Sequence, residues 1–147
     1  MFIVTVSLLL IAAIFVLADY FSVFGTRKVE KLDFVELNFR MIDEKRGTPV
    51  INVHVRCFQM HNNNACTQRD AHKIGYVRVA IPVVKIFDKT MLFNKGYTIQ
   101  KTSDPKVHIM FIHNQYANPV ETFLIPDLEK IKDQVFTVAM PQPVFQK

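Results

Sequence analysis

Hydrophobic and polar positions divide the chain into one unbroken apolar run followed by many short alternating ones. Phe2 to Ala18 carry no charge, and seventeen residues at about 1.5 Å each give a helix of roughly 25 Å. Extension through Phe24 gives about 34 Å, against a hydrocarbon core of about 30 Å. The pattern therefore predicts a single N-terminal transmembrane anchor over residues 1–24, with Gly25 as the helix stop. Tyr20, Phe21 and Phe24 supply aromatic rings for headgroup depth, and Arg27 and Lys28 follow as the basic flank. These five residues form the predicted membrane interface. Residues 25–31 read as a juxtamembrane linker.

The competing reading of the same run is a cleaved secretory signal, with Val16-Leu17-Ala18 before a cut ahead of Asp19. No Lys or Arg precedes the apolar run, so the basic segment of such a signal is missing, and a retained anchor is the preferred expectation. The Lys and Arg residues after the helix favour a cytoplasmic β-domain by the positive-inside tendency. The type of domain that follows favours the periplasmic or extracellular side, and the expectation leans extracytoplasmic.

Beyond the linker the period changes from helical to two. Leu32–Ile42 alternates Val35, Leu37, Phe39 and Met41 with polar positions, and a polar turn follows at Asp43–Pro49. Val50–Gln59 puts Ile51, Val53, Val55 and Cys57 on one face, with Asn52, His54 and Arg56 on the other. Met60–Lys73 has no period and reads as a loop of about fourteen residues, a length often kept for function. Gly75–Asp88 resumes as a long strand or a bent pair, with Pro82 predicting an edge position or a bulge. After a short Met91–Phe93 segment, a strand follows over Tyr97–Lys101, then a turn at Thr102–Pro105. Lys106–Asn114 is apolar on both faces and so predicted central. Val120–Ile125 and Gln134–Met140 are shorter strands around a helical turn at Pro126–Lys132, and residues 141–147 form a proline-bearing tail. The count of about seven strands predicts a mainly β fold, an antiparallel β-sandwich over residues 32–140, and one domain rather than two.

Net charge is +5, but the cations are spread among acids instead of gathered into a stripe. That pattern argues against nucleic acid and for a solvated surface near anionic lipid. Four glycines leave no phosphate-binding loop, and His108 and His113 lie on opposite parities of one strand with no activated nucleophile beside them. No catalytic residue, cofactor or small-molecule substrate is therefore expected.

One stretch carries candidate chemistry. Cys57 and Cys66, with eight residues between them, bracket Met60 and His61, while His54 precedes and His72 follows. In an exported domain a disulfide closing this loop is the simplest reading, two unconnected thiols the next. The third is a copper or zinc site, or a redox centre, drawing on Cys57, His61, Cys66 and His72. It lacks a Cys-x-x-Cys pair, and strand parity turns His54 away from Cys57.

Ile42–Val55, with its strand, acidic turn, Gly47-Thr48-Pro49 and alternating strand, resembles the opening hairpin of the carboxypeptidase regulatory-like and transthyretin-like sandwich families. Gly96-Tyr97-Thr98-Ile99 is similar to their later glycine-aromatic strand start, and Val107–Tyr116 to the strand leading into a tyrosine-bearing loop. The resemblance covers about half of the β-region and departs from the families at Met60–Lys73, where a compact member has a brief turn. It implies a binding, spacing or structural module without catalytic residues. Together these readings lead to a non-catalytic, single-pass membrane protein, an accessory or scaffolding subunit that works through contacts with the bilayer and with other subunits of a membrane complex. The metal or redox protein is the alternative.

Overall fold

A computed structural model describes residues 1–59, 66–100 and 105–143. It is mainly β, with eight strands and one long helix: α1 (Phe2–Tyr20), β1 (Arg27–Asp43), β2 (His54–Phe58), β3 (Thr67–Arg69), β4 (Tyr76–Lys89), β5 (Asn94–Ile99), β6 (Lys106–Ile112), β7 (Val120–Leu124), a short α2 (Leu128–Ile131) and β8 (Val135–Met140). One sheet runs β3-β4-β1-β8, with β5 also on β4; the other runs β2-β6-β7. The chain divides into two compact units, Met1–Leu32 with Val84–Gln100, and Asp33–Val83 with the chain after Gln100.

In the first unit, α1 stops earlier than Gly25. Ser22 takes a left-handed backbone with φ of 58°. Val23 N–H reaches Ala18 C=O at 2.9 Å and Ser22 N–H reaches Asp19 C=O at 3.0 Å, the paired bonds of a Schellman cap. A serine holds the position that glycine usually takes, which is why composition pointed three residues too far. The expected linker is also shorter, because β1 begins at Arg27. Strands β4 and β5 form a hairpin that closes between Lys89 and Asn94, leaving Thr90–Phe93 as its tip.

The second unit holds the core. Val35, Leu37, Phe39 and Met41 of β1 and Val77, Val79, Ile81 and Val83 of β4 are buried, as period two requires of one sheet face. Val107, Ile109 and Phe111 of the other sheet are buried too. The Phe39 ring lies 4.9 Å from Phe111, 5.7 Å from Phe136 and 5.9 Å from Phe123, so β1, β6, β7 and β8 meet at one aromatic cluster. β6 is central in its sheet. A 3₁₀ turn at Ile125–Asp127, with Pro126 in its first turn, leads into α2, and Leu128 is fully buried.

Several expectations are corrected. The strands are not all antiparallel: β8 runs parallel to β1, pairing Asn38 with Val135 through Asp43 with Met140. The two meet only after the chain has passed through the second sheet and α2, the kind of crossover a parallel pair needs. β4 is internal in the sheet as a whole, but Pro82 lies at a point that neither β3 nor β5 covers. It falls between the residues paired with β3 (Arg78–Ala80) and those paired with β5 (from Lys85), so its missing N–H breaks no bond in either register. Ile51 is exposed and β2 starts only at His54, because Asn52 adopts a left-handed φ of 61° and interrupts the alternation. The predicted loop after Met60 contains β3, whose Thr-Gln-Arg sequence has no apolar period to reveal it.

Candidate functional site

The densest arrangement of functional-site character lies in the first unit, where the apolar helix ends. Of the α1 residues only Asp19 is buried, at 1% exposure. The hydroxyls of Thr5 and Ser7 bond back to the carbonyls of Met1 and Ile3, each at 2.8 Å, so neither needs water. Asp19 Oδ2 accepts the Thr90 hydroxyl and, at 2.8 Å, the Leu92 N–H. Thr90 is itself fixed within the tip: its N–H reaches Phe93 C=O at 2.9 Å, and its Oγ1 accepts Phe93 N–H at 3.1 Å. One carboxylate thus fastens the last helical turn to a four-residue hairpin tip. Lys95 adds a second tie, donating to Tyr20 C=O and Ser22 Oγ with its ammonium 5.7 Å from the Tyr20 ring centre.

Around this joint the surface is apolar and basic. Tyr20, Phe21 and Phe24, predicted as interface residues, are 63%, 70% and 55% exposed, and Met91 and Leu92 are 65% and 52% exposed. Arg27 and Lys28 are exposed at the start of β1. An open pocket of about 440 Å³ is lined by Phe24, Thr26, Arg27, Lys89 and Met91, among others. The predicted belt is therefore joined by a hairpin tip that the sequence reading passed over. Its signal was present as an apolar Met91-Leu92-Phe93 run between Lys89 and Lys95.

The loop near Cys57 takes a different form from a metal site. Cys57 and Cys66 are joined in a disulfide with Cα atoms 5.5 Å apart, so neither sulfur is a thiolate available to a metal. His61 and Met60 lie outside the described residues. His72 is exposed, with Nε2 3.3 Å from an Arg78 nitrogen, and His54 is exposed on β2. Among the described residues no three His, Cys, Asp or Glu side chains gather as a metal-binding group. Beside the disulfide the Gln68 amide donates to Val53 C=O at 2.9 Å and accepts Val55 N–H at 3.1 Å, replacing a missing strand neighbour.

A second polar centre is structural. Asp43, 3% exposed, accepts the N–H groups of Lys45 and Arg46 on Oδ1, both at 2.9 Å. Its Oδ2 accepts the Tyr116 hydroxyl at 2.9 Å and the Gln142 amide at 3.2 Å. The Arg46 N–H, then the Tyr116 hydroxyl, hold the Asp43 carboxyl below its ordinary range, and the same bond raises the Tyr116 phenol. Ala117 N–H reaches Pro141 C=O at 2.9 Å, so the start of the predicted tail is tied down, while residues 144–147 lie outside the described ones. Gln115, Tyr116 and Asn118 line an open cleft of about 900 Å³ together with Ile51, His54 and His113. No family model, no curated protein and no solved structure matches the chain.

Proposed function

We propose that this is a single-pass membrane protein whose β-region is a non-catalytic contact module, an accessory or scaffolding subunit of a larger membrane assembly. One observation carries the reading. A nineteen-residue helix, long and apolar enough to cross a membrane, exposes nearly every side chain yet buries its one carboxylate against a hairpin tip of its own unit. A helix whose apolar side chains are left largely exposed by the described residues needs another apolar medium. A disposable leader has no use for a specific last-turn lock.

The Cys57–Cys66 disulfide supports placement of the β-region on the extracytoplasmic side, since such bonds persist in oxidising compartments. Aromatic packing between β1 and β6 supports the sandwich architecture, and with it the spacing or binding role that the transthyretin-like resemblance implies. Exposed loops on a rigid β framework are the usual carriers of partner contacts, which favours Gln115–Pro119 as a partner-facing segment.

The test is extraction of native membranes with mild detergent, followed by sizing and identification of co-eluting chains. The expected result is a species well above the monomer, resistant to an alkaline carbonate wash. A lone, monodisperse monomer would defeat the subunit reading, and release by carbonate would defeat the anchor.

A further inference from the structure

The joint between α1 and the hairpin tip fixes a depth. If Phe2–Ala18 fill the bilayer core, their roughly 25 Å is slightly less than its thickness of about 30 Å, so Asp19 lies at the boundary of the hydrocarbon. Leu92 N–H bonds directly to the Asp19 carboxylate at 2.8 Å. Whatever depth Asp19 has, Leu92 therefore shares. Met91, Leu92 and Phe93 are 65%, 52% and 39% exposed, and at that depth their exposure is to lipid.

Charge points the same way. The first unit carries six Lys and Arg against three Asp and Glu, and one of those three, Asp19, is turned inward on the tip. Arg27 and Lys89 line the pocket whose remaining wall includes Phe24 and Met91, and among the described residues neither cation has an ion-pair partner. Two cations lining a pocket that also presents Phe24 and Met91 have the chemistry to hold a headgroup phosphate while the neighbouring apolar side chains meet acyl carbon.

We infer that the β4–β5 hairpin tip is a second lipid-contacting element, locked to the anchor by Asp19, and that Arg27 and Lys89 beside it take the phosphate of an anionic phospholipid. This inference rests on the anchor reading above. It adds that the protein touches the bilayer at two places in its sequence and selects for acidic lipid.

The test uses the full chain in vesicles of phosphatidylcholine with a minor fraction of phosphatidylserine. An environment-sensitive fluorophore is placed at Leu92→Cys, and separately at Met91→Cys and Phe21→Cys, with the native disulfide left intact. Spin-labelled phosphatidylserine and spin-labelled phosphatidylcholine serve as quenchers. All three positions should be quenched, and at 91 and 92 the serine lipid should be favoured by up to about fivefold per cation at low salt. Arg27→Gln with Lys89→Gln should erase that preference and leave quenching at 21 unchanged. Asp19→Ala should release 92 from lipid but not 21, and Asp19→Asn, which keeps an acceptor oxygen, should restore contact. Water-like emission at 91 and 92 with quenching at 21 would overturn the inference and leave the anchor standing. No quenching at any position, with the chain in the aqueous fraction, would overturn both. Equal quenching by the two lipids would overturn the selection of anionic lipid by Arg27 and Lys89.

Discussion

Phe39 is the side chain on which the second unit depends most. It is fully buried, and its ring meets Phe111, Phe123 and Phe136 at centroid distances of 4.9 to 5.9 Å. Phe39→Ala removes the apolar transfer term and leaves a cavity that three rigid rings cannot easily fill, for an expected loss of about 3 to 5 kcal/mol. A small domain has roughly 5 to 15 kcal/mol in total, so the variant keeps a narrow margin. Phe39→Leu retains most of the apolar bulk and loses only the ring-to-ring contacts, each about 0.5 to 1.5 kcal/mol and not fully additive, for an expected cost of roughly 2 kcal/mol. Phe34, 39% exposed on the same strand with opposite parity, is the control, and Phe34→Ala should cost under about 1 kcal/mol. Urea titration of the full chain in mild detergent, followed by far-ultraviolet circular dichroism, reads all three through the shift in midpoint at constant slope. If Phe39→Ala and Phe34→Ala shifted the midpoint equally, the two sheets could not be meeting at Phe39.

Three further outcomes are expected. Asp43 has its carboxyl lowered in the fold, so its contribution is present above the unfolded value of about 4 and is lost as pH falls through the folded value; Tyr116, raised, contributes below about pH 10 and loses that contribution as pH rises through its folded value. Thermal melts across pH should accordingly lose part of the acid limb in Asp43→Asn and part of the alkaline limb in Tyr116→Phe. Reducing the Cys57–Cys66 bond should cost about 2 to 3 kcal/mol for so short a ring, read as a lower urea midpoint with reductant and no change on adding reductant to the Cys57→Ser, Cys66→Ser double variant. Gly75 and Gly47 both have positive φ, but a Cβ on Gly75 would lie 2.7 Å from Pro49 Cβ while one on Gly47 meets nothing within 4 Å; Gly47→Ala should cost about 1 kcal/mol and Gly75→Ala clearly more, by the same titration.

What could be read in the chain followed the strength of its periodicity. Val35, Leu37, Phe39 and Met41 alternate without exception and are all buried; the apolar run of α1 is equally plain. Boundaries were less legible where one residue's backbone overrides composition, as at Ser22 and Asn52, whose left-handed φ carries no hydrophobic signature. Partnering was least legible. Nothing local in Thr67-Gln68-Arg69 announces a strand, because it exists by pairing with β4 and through an amide that bridges to Val53 and Val55. The parallel β1–β8 pair and the Asp19 joint are likewise products of distant chain meeting distant chain, which no local pattern encodes.

Asp19 shows why such a joint matters for function. A carboxylate one residue from the end of an apolar helix is costly to take out of water unless donors replace the lost hydration. Here Oδ2 receives them from Thr90 and Leu92, more than seventy positions along the chain, while Oδ1 is buried with no hydrogen-bond donor among the described residues. An unlocked helix end could rotate against the hairpin tip at little cost. A locked one cannot, because turning α1 by even part of a turn would strip both bonds from a buried charge while Lys95 lost its acceptors on Tyr20 and Ser22. The helix end and the hairpin tip therefore move as one piece, and strands β4 and β5 leave that piece directly. Under the anchor reading proposed above, these bonds would give α1 a fixed orientation within its own unit as well as a location.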